Sequence, residues 1–407
     1  MQASSRPLRI LTLANSEASE GCTFARVMTP LCALQKDGLV DFTFMHLMPW
    51  NMATIRHVMR ELRHWDLIWI SRPRHYVMLA IIREARRRAK PVLIDIDDWL
   101  LDVPTEHPHA AYFRARPRQE TVRLALRTAT GITASTPIIA ERCTALGLQA
   151  HVLPNAVDCS QFTRQPRSDG PITIAFCGTP THDKDMSLVA LPLRTLLHNR
   201  QDRVRIVSVG CSIPELQGLP GYTHHDFVPA PEYPLLISNL CIDIGLAPLQ
   251  DTPFNEAKSD IKYLEYSASG AVTVASAMAP YQSSIRDDRG ILVRTNTPEE
   301  WSAALVRLIQ DAPLRQRLAA SAYEWVRSER SIQATASKWY TIFQGYCAGY
   351  NESSGTWPPD DRRFERALGN MVLRQLPYDA RQLRHLLIHR ARTGVGWRSR
   401  RDDRTPA

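Results

Sequence analysis

The segment 241–276, CIDIGLAPLQDTPFNEAKSDIKYLEYSASGAVTVAS, constrains the fold more than any other part of the chain. It reads as a buried strand, a polar loop, a helix carrying Lys258, Lys262 and Glu265, a stop at Gly270, and a second buried strand. Two β-branched strands flanking a short helix bring cations and a carboxylate to one rim. In open α/β sheets the crevice at the carboxyl ends of parallel strands is where charged ligands sit. Lys258 and Lys262 are four residues apart and Glu265 is three further on, so a helix puts all three on one face. An exposed Lys262–Glu265 ion pair would use the same spacing, so the pattern alone does not make a site.

The rest of the chain repeats this grammar. Strands are expected at 8–13, 42–47, 67–70, 91–96, 131–134 and 152–153, with helices between them at 23–35, at 54–64, after residue 70 through 87, at 120–129 and from 137 to near 147. Thr136-Pro137 opens its helix with a capping hydroxyl and a proline in the first turn. Residues 154–170 are polar and rich in Pro, Asp and Ser, as suits a linker. A second series follows, with strands at 172–176, 204–209, 242–246 and 291–293, helices at 187–198, 233–238 and 299–309, and helix from 314 to 346. Alternation of this kind means parallel sheets covered by helices. A chain of 407 residues exceeds one ordinary core, so two domains are expected. The boundaries read as 1–157, a linker at 158–170, 171–348, and a basic extension at 349–407. The last helix of the second domain is a candidate to cross back onto the first.

Charge and cysteine usage narrow the class. The formal net charge is +9, dominated by arginine. The densest run is Arg83, Arg86, Arg87, Arg88 and Lys90 at the end of a helix, where cations suit the dipole. Residues 353–407 carry 12 Lys/Arg against 6 Asp/Glu, and 380–392 has leucines at helical spacing among basic residues. Such a helix fits a membrane surface, or packs on the protein. No nucleic-acid motif accompanies the charge, so no nucleic-acid partner is expected. Eight scattered cysteines without a CxxC pair favour reduced thiols in a cytosol. No run of about 18 apolar residues exists, so no membrane-spanning helix is expected. The expected location is cytoplasmic, with contact at the inner face of the membrane through the basic surfaces.

Five further places carry chemistry. Strand ITIAFCG ends at Gly178, and Thr179 to Lys184 leads into a helix. A glycine turn before a helix presents backbone N–H groups and the positive helix end to an anion, and Lys184 adds a point charge. Neither GxGxxG nor GxxxxGK[ST] is present, so this is no dinucleotide fingerprint or P-loop. Asp95, Asp97 and Asp98 end the 91–96 strand, with His107 and His109 beyond, and could bind a metal or sugar hydroxyls, act as a base, or cap the next helix. Asn155 and Asp158 in LPNAVD can close turns at the linker. Gly21 allows close backbone approach in the loop after the first strand, with Arg26 following. Glu256 can reach the site from the loop before the helix of the opening segment, and Ser259 follows Lys258.

In order and spacing these pieces resemble the retaining GT-B glycosyltransferases of the group 1, family 4-like type, in a form marked by KSxxKxLEY. The resemblance implies two Rossmann-like, doubly wound α/β domains facing across a cleft, and transfer of a hexosyl or related sugar from a nucleoside diphosphate sugar to a hydroxyl acceptor. It implies a glycan or lipid-linked acceptor in cell-surface polysaccharide or glycolipid synthesis. By spacing, Lys184 falls on the family's lysine, while Thr179 stands where the family has an arginine. Glu265 matches the second of two glutamates, the one used on the nucleotide ribose. Ala257 stands at the first, and Glu256 is one residue out of register. Asp97 occupies the place of a histidine near the donor sugar, and the Gly21 loop resembles the acceptor-side loop.

The residues expected to act are therefore Asp97, Lys184 and Lys258 in catalysis. Gly178, Thr179, Lys184, Glu256, Lys258, Ser259, Lys262 and Glu265 would hold the donor, with Gly21, Arg26, Asp97 and Asp98 on the acceptor side. Lysines would take the charge of the leaving diphosphate, so no cofactor or metal is required. A nonhydrolysing sugar-nucleotide epimerase and a noncatalytic sugar-binding partner of another transferase are the competing readings.

Overall fold

The computed structural model describes residues 6–47, 52–164, 170–199 and 203–349. The expected extension at 349–407, including the basic helix at 380–392, lies outside the described residues beyond Gly349, as does the middle of the linker.

Among the described residues twelve strands form two six-stranded parallel sheets. The first contains β1 (Leu8–Ala14), β2 (Val40–His46), β3 (Leu67–Ser71), β4 (Val92–Ile96), β5 (Gly131–Ala134) and β6 (Ala150–Val152), in the order β2-β1-β3-β4-β5-β6. The second contains β7 (Ile172–Cys177), β8 (Val204–Val209), β9 (Tyr222–His225), β10 (Ile244–Ala247), β11 (Val272–Ser276) and β12 (Ile291–Val293), in the order β12-β11-β10-β7-β8-β9. The central strands β3, β4, β5 and β11 are buried at every position, as strands covered on both faces must be. The sequence reading passes over β9, an edge strand whose Tyr-Thr-His-His lacks an apolar run.

Each strand order has one place where the chain reverses direction across the sheet. In the first sheet it lies between β1 and β3, and in the second between β7 and β10. Loops leaving such a pair diverge and open a crevice at the strands' carboxyl ends. The loops after β1 and β7 are those with Gly21 and Gly178, and the loop after β10 carries Lys258. Topology alone therefore gathers the expected residues.

Two elements depart from expectation in ways that matter to the site. The helix expected at 23–35 contains a widened π turn, Phe24–Met28, before the regular helix Thr29–Lys36. The turn buries Arg26, which is 1% exposed. The helix of the opening segment is split. Thr252 caps a separate turn, Pro253–Glu256, and the main helix Ile261–Ser269 starts only after Asp260. Lys258 is thus in an extended connector, not on the helix with Lys262 and Glu265. Gly270 ends that helix in the left-handed conformation at φ 87°, a cap glycine adopts at little cost. The helix lies close against its sheet because Gly245 of β10 leaves room for the Tyr266 ring; a Cβ there would fall 2.3 Å from it.

The final helix, Ile332–Gly349, packs on the first half of the molecule. Trp339 and Phe343 stack against Trp69 of β3 at 5.5 and 5.1 Å between ring centroids, within a buried cluster that includes Leu31 and Leu34. The eight cysteines are all free thiols. Of the basic run after residue 82, Arg86 donates to the Thr128 carbonyl and Arg88 pairs with Glu84. Among the described residues no helix is long and apolar enough to cross a membrane.

Candidate active site

A cavity of about 290 Å³ lies where the two crevices meet. That is at the lower end for a small-ligand site. Its walls include Gly178, Thr179, Lys258, Ser259, Lys262 and Glu265 from the second half, and Gly21, Arg26, Asp97 and Asp98 from the first. Ten of the expected site residues are thus brought together.

The two lysines converge from different elements. The Lys262 Nζ sits 5.3 Å from the Phe176 ring centroid, and the Lys258 Nζ 5.0 Å from that of Phe254. An ammonium over an aromatic face is steered without losing its charge to a carboxylate. Among the described residues neither lysine forms an ion pair. A Cβ on Gly178 would lie 2.9 Å from the Lys262 Nζ, so only glycine lets this cation reach the end of β7. Burial pushes the Lys262 ammonium below the usual lysine range, opposed by Glu265 and assisted by Lys258. This is a cation waiting for an anion.

Glu265, one turn further along the helix, faces the same cavity. Burial pushes its carboxyl up to about 7, against the pull of Lys262 and a hydrogen bond with Tyr233. Burial also raises the Tyr233 phenol, which stays protonated beside it. The shift has a sign. The folded protein holds the proton more tightly than the unfolded chain, so this group's contribution to stability is lost as pH rises from about 4.5 to about 7. A ligand whose hydroxyls donate to the carboxylate should bind more tightly over the rising half of that range. The affinity for such a ligand, titrated calorimetrically, is expected to increase about tenfold from pH 6 to pH 8, and Glu265→Gln to flatten the profile.

On the opposite wall the carboxylates are organised by an arginine that the sequence reading does not single out. Arg72 follows β3 with φ 48°, a left-handed conformation uncommon outside glycine. Its guanidinium reaches the Asp97 carboxylate at 3.1 Å and the Asp98 carboxylate at 2.9 Å. Burial raises the Asp97 carboxyl, with Arg72 opposing. The Asp98 carboxyl is held low: burial acts to raise it, but Lys258 and Arg72 outweigh burial. Cys22, Asp97 and Asp98 place one potential metal-ligand atom each within 4.8 Å of one another. Arg72 already balances both carboxylates, so this cluster is a poor cation trap. Asp95, which shares the strand with Asp97, takes a different path and is fully buried.

Three expected residues are placed differently. Arg26 lines the cavity but is fully engaged inward. It makes two bonds to Asp95, at 3.1 and 2.6 Å, donates to the Leu153 carbonyl and the Asn155 side chain, and lies 4.7 Å from the Trp339 ring. It is a strut between the first sheet, the linker and the last helix. Lys184 is exposed and off the cavity wall. The helix Asp183–Asn199 turns Asp185, Met186 and Val189 inward, and Lys184 falls on the outer side of that spacing. Glu256 is likewise outside, its carboxylate 3.9 Å from Arg142. Ala257, at the family's first glutamate, is buried, and its carbonyl accepts from Thr136 across the cleft.

Several cavity residues carry no local sequence signal. His182 sits at the end of a tight turn, Pro180–His182, with its Nδ1 2.7 Å from Asp185. Gly210 after β8 lies against the Gly178 carbonyl, where a Cβ would approach to 2.5 Å. Asn155, expected only to close a turn, joins the halves: its Nδ2 donates to Ser259 Oγ at 2.8 Å. The lobes also meet where Ala230 N–H donates to the Ser19 carbonyl at 2.9 Å.

The profile of the family described as Glycosyl transferase-like matches residues 191–341. A D-inositol 3-phosphate glycosyltransferase of Nocardioides is 41% identical over 64 residues, a stretch covering 16% of this chain and 14% of that relative. HepE of Anabaena, solved in complex with UDP and glucose, superposes with a TM-score of 0.62 at 14% identity, over 83% of this chain and 100% of its own. Sucrose-phosphate synthase from Thermosynechococcus elongatus superposes with a TM-score of 0.63 at 12% identity, over 84% and 99%. The fold is GT-B, with two parallel six-stranded sheets and their helices facing across a cleft.

Proposed function

We propose that the chain is a glycosyltransferase that moves a sugar from a nucleoside diphosphate sugar to a hydroxyl acceptor. The observation that carries this is that Lys258 and Lys262 line one cavity, with Lys262 at the Gly178 end of β7 and one helical turn from Glu265. Two unpaired cations at a sheet's reversal point suit a diphosphate. A carboxylate beside them with a tyrosine partner suits the ribose diol. The family match over 191–341 and the superposition with a UDP-bound GT-B structure support the same assignment.

In this reading the bond from the sugar's anomeric carbon to the diphosphate breaks as the acceptor oxygen bonds that carbon, and the acceptor's hydroxyl proton passes to the departing phosphate oxygen. Positive charge develops on the sugar and negative charge on the leaving phosphate. Lys258 and Lys262 are placed to take the second of these, in a cavity where the field of fixed cations is weakly screened. Asp97 and Asp98, held by Arg72, face the sugar and acceptor from the first lobe. Transfer with retention is part of the proposal, and cations gathered on the leaving-group side fit it. The lysines and Arg72 supply the required charge, so the scheme calls for no metal. Closure of the lobes on the cavity excludes water and so limits hydrolysis of the donor. A glycan or lipid-linked acceptor made at a cell surface, met at the inner face of a membrane, remains part of the proposal.

The test is a thermal-shift titration with UDP, GDP, ADP and dTDP. At least one is expected to raise the midpoint of the wild-type protein by several degrees. Lys262→Ala should abolish the shift, whereas Lys184→Ala, altering a side chain off the cavity, should preserve it. A wild-type protein indifferent to all four nucleotides would remove the assignment.

A further inference from the structure

One cavity group has no part in the scheme above. His182 is 9% exposed and ends the turn after β7, its ring edge-on to Phe176 at 5.9 Å between centroids. Its Nδ1 is 2.7 Å from Asp185 Oδ2. Asp185 cannot swing away, because its other oxygen accepts from Gln250 N–H at 2.8 Å and from Asn255 Nδ2 at 3.1 Å. A carboxylate fixed in this way selects the tautomer with the proton on Nδ1. The opposite ring nitrogen, Nε2, then carries a lone pair and can only accept.

The surroundings say what it would accept from. The charged groups acting on His182 are Lys262 and Lys258 from the neighbouring loop and helix, and Asp185 beneath it. From the facing lobe, Asp98 lies within electrostatic range of it. Burial and the two lysines hold the imidazole neutral, down to about 3. A lone pair does not bind a phosphate oxygen, which has no proton to give, and the lysines already serve the phosphates. Glu265 is paired with Tyr233, whereas the groups that act most on His182 are Lys262, Lys258 and Asp185, and it lies within electrostatic range of Asp98. A donor with its ribose on Glu265 and its diphosphate on the lysines would put its sugar there. We propose that His182, aimed by Asp185, accepts a hydrogen bond from a hydroxyl of the transferred sugar and so selects the sugar and not the nucleotide. This rests on the glycosyltransferase reading. It gives the second lobe a polar reader of the sugar although Ala257 has no polar side chain.

The experiment compares calorimetric affinities for UDP and UDP-glucose in the wild type, His182→Ala, His182→Gln and Asp185→Asn. Gln places an amide oxygen near the position of Nε2. Asn keeps the bonds to Gln250 and Asn255 but presents N–H to the imidazole, so the ring turns its lone pair inward and points N–H at the sugar. The expected result is UDP affinity within twofold throughout, which also shows that each variant is folded. UDP-glucose affinity should fall roughly tenfold in His182→Ala and Asp185→Asn, and recover in His182→Gln. Equal loss of UDP and UDP-glucose would assign His182 to the diphosphate and overturn the proposal. Unchanged UDP-glucose affinity would overturn it as well, while leaving the nucleotide site standing. A wild type that binds none of UDP, GDP, ADP and dTDP would instead overturn the glycosyltransferase reading, and this proposal with it.

Discussion

Lys262→Ala should reduce kcat by about 10²–10³-fold, the usual effect of removing one preorganised stabiliser of developing charge. Lys262 supports that expectation on three counts. It is largely buried, it has no ion-pair partner among the described residues, and it reaches the Gly178 backbone. Lys258→Ala should act in the same direction. Lys258 sits in a connector and also steadies Asp98, so part of its loss should appear as a change in KM. Lys184→Ala should change either constant by less than about twofold, because an exposed charge outside the cavity is screened. Donor-hydrolysis and transfer rates under saturating acceptor would separate these cases. Equal kcat in wild type and Lys262→Ala would show that the leaving group is stabilised elsewhere.

Arg26→Ala should destabilise the fold by about 3–5 kcal/mol, because it strands a buried carboxylate. Asp95 is fully buried and its remaining partner is the Thr133 hydroxyl at 2.6 Å, which cannot neutralise it. The substitution also removes donors from the Leu153 carbonyl and the Asn155 side chain. Chemical denaturation should show the loss as a shift in midpoint. Arg116→Ala provides the contrast. Its pair with Glu120 lies on the surface, with Arg116 78% exposed, and should contribute under about 1 kcal/mol. A loss of less than 1 kcal/mol for Arg26→Ala would mean that water enters the site and solvates Asp95.

What the sequence makes legible follows from the range of the interactions involved. Strand positions, the Gly270 cap and the shared rim of Lys262 and Glu265 depend on neighbours a few residues away, and they can be read from spacing. Lys258 is misplaced by that reasoning because Thr252-Pro253 starts its own helical turn, leaving a short connector before Asp260. Lys184 is misplaced because aligning it to a family loop ignores the phase of the helix that follows. The inward spacing of Asp185, Met186 and Val189 carries the missing signal. Arg72 and Tyr233 cannot be found in this way at all. Their partners, Asp97 and Glu265, are 25 and 32 residues away in sequence and become neighbours only through the strand order. His182 lies between these cases: the i,i+3 spacing to Asp185 is visible, but not that the pair faces a cavity.

Asn155 has a mechanical consequence. The Arg26 guanidinium grips its side-chain oxygen from one side of the linker, and Arg330 grips its carbonyl, at 2.9 and 3.1 Å, from the other. Arg330 in turn holds Asp260 with two contacts of 2.8 Å, and Asn155 itself holds Ser259. The crossing between the lobes is therefore tied to Ser259 and Asp260, in the connector that carries Lys258. A torque that spreads the lobes is carried in part to Ser259, next to Lys258. The angle between the two halves is thus translated into the position of a single positive charge.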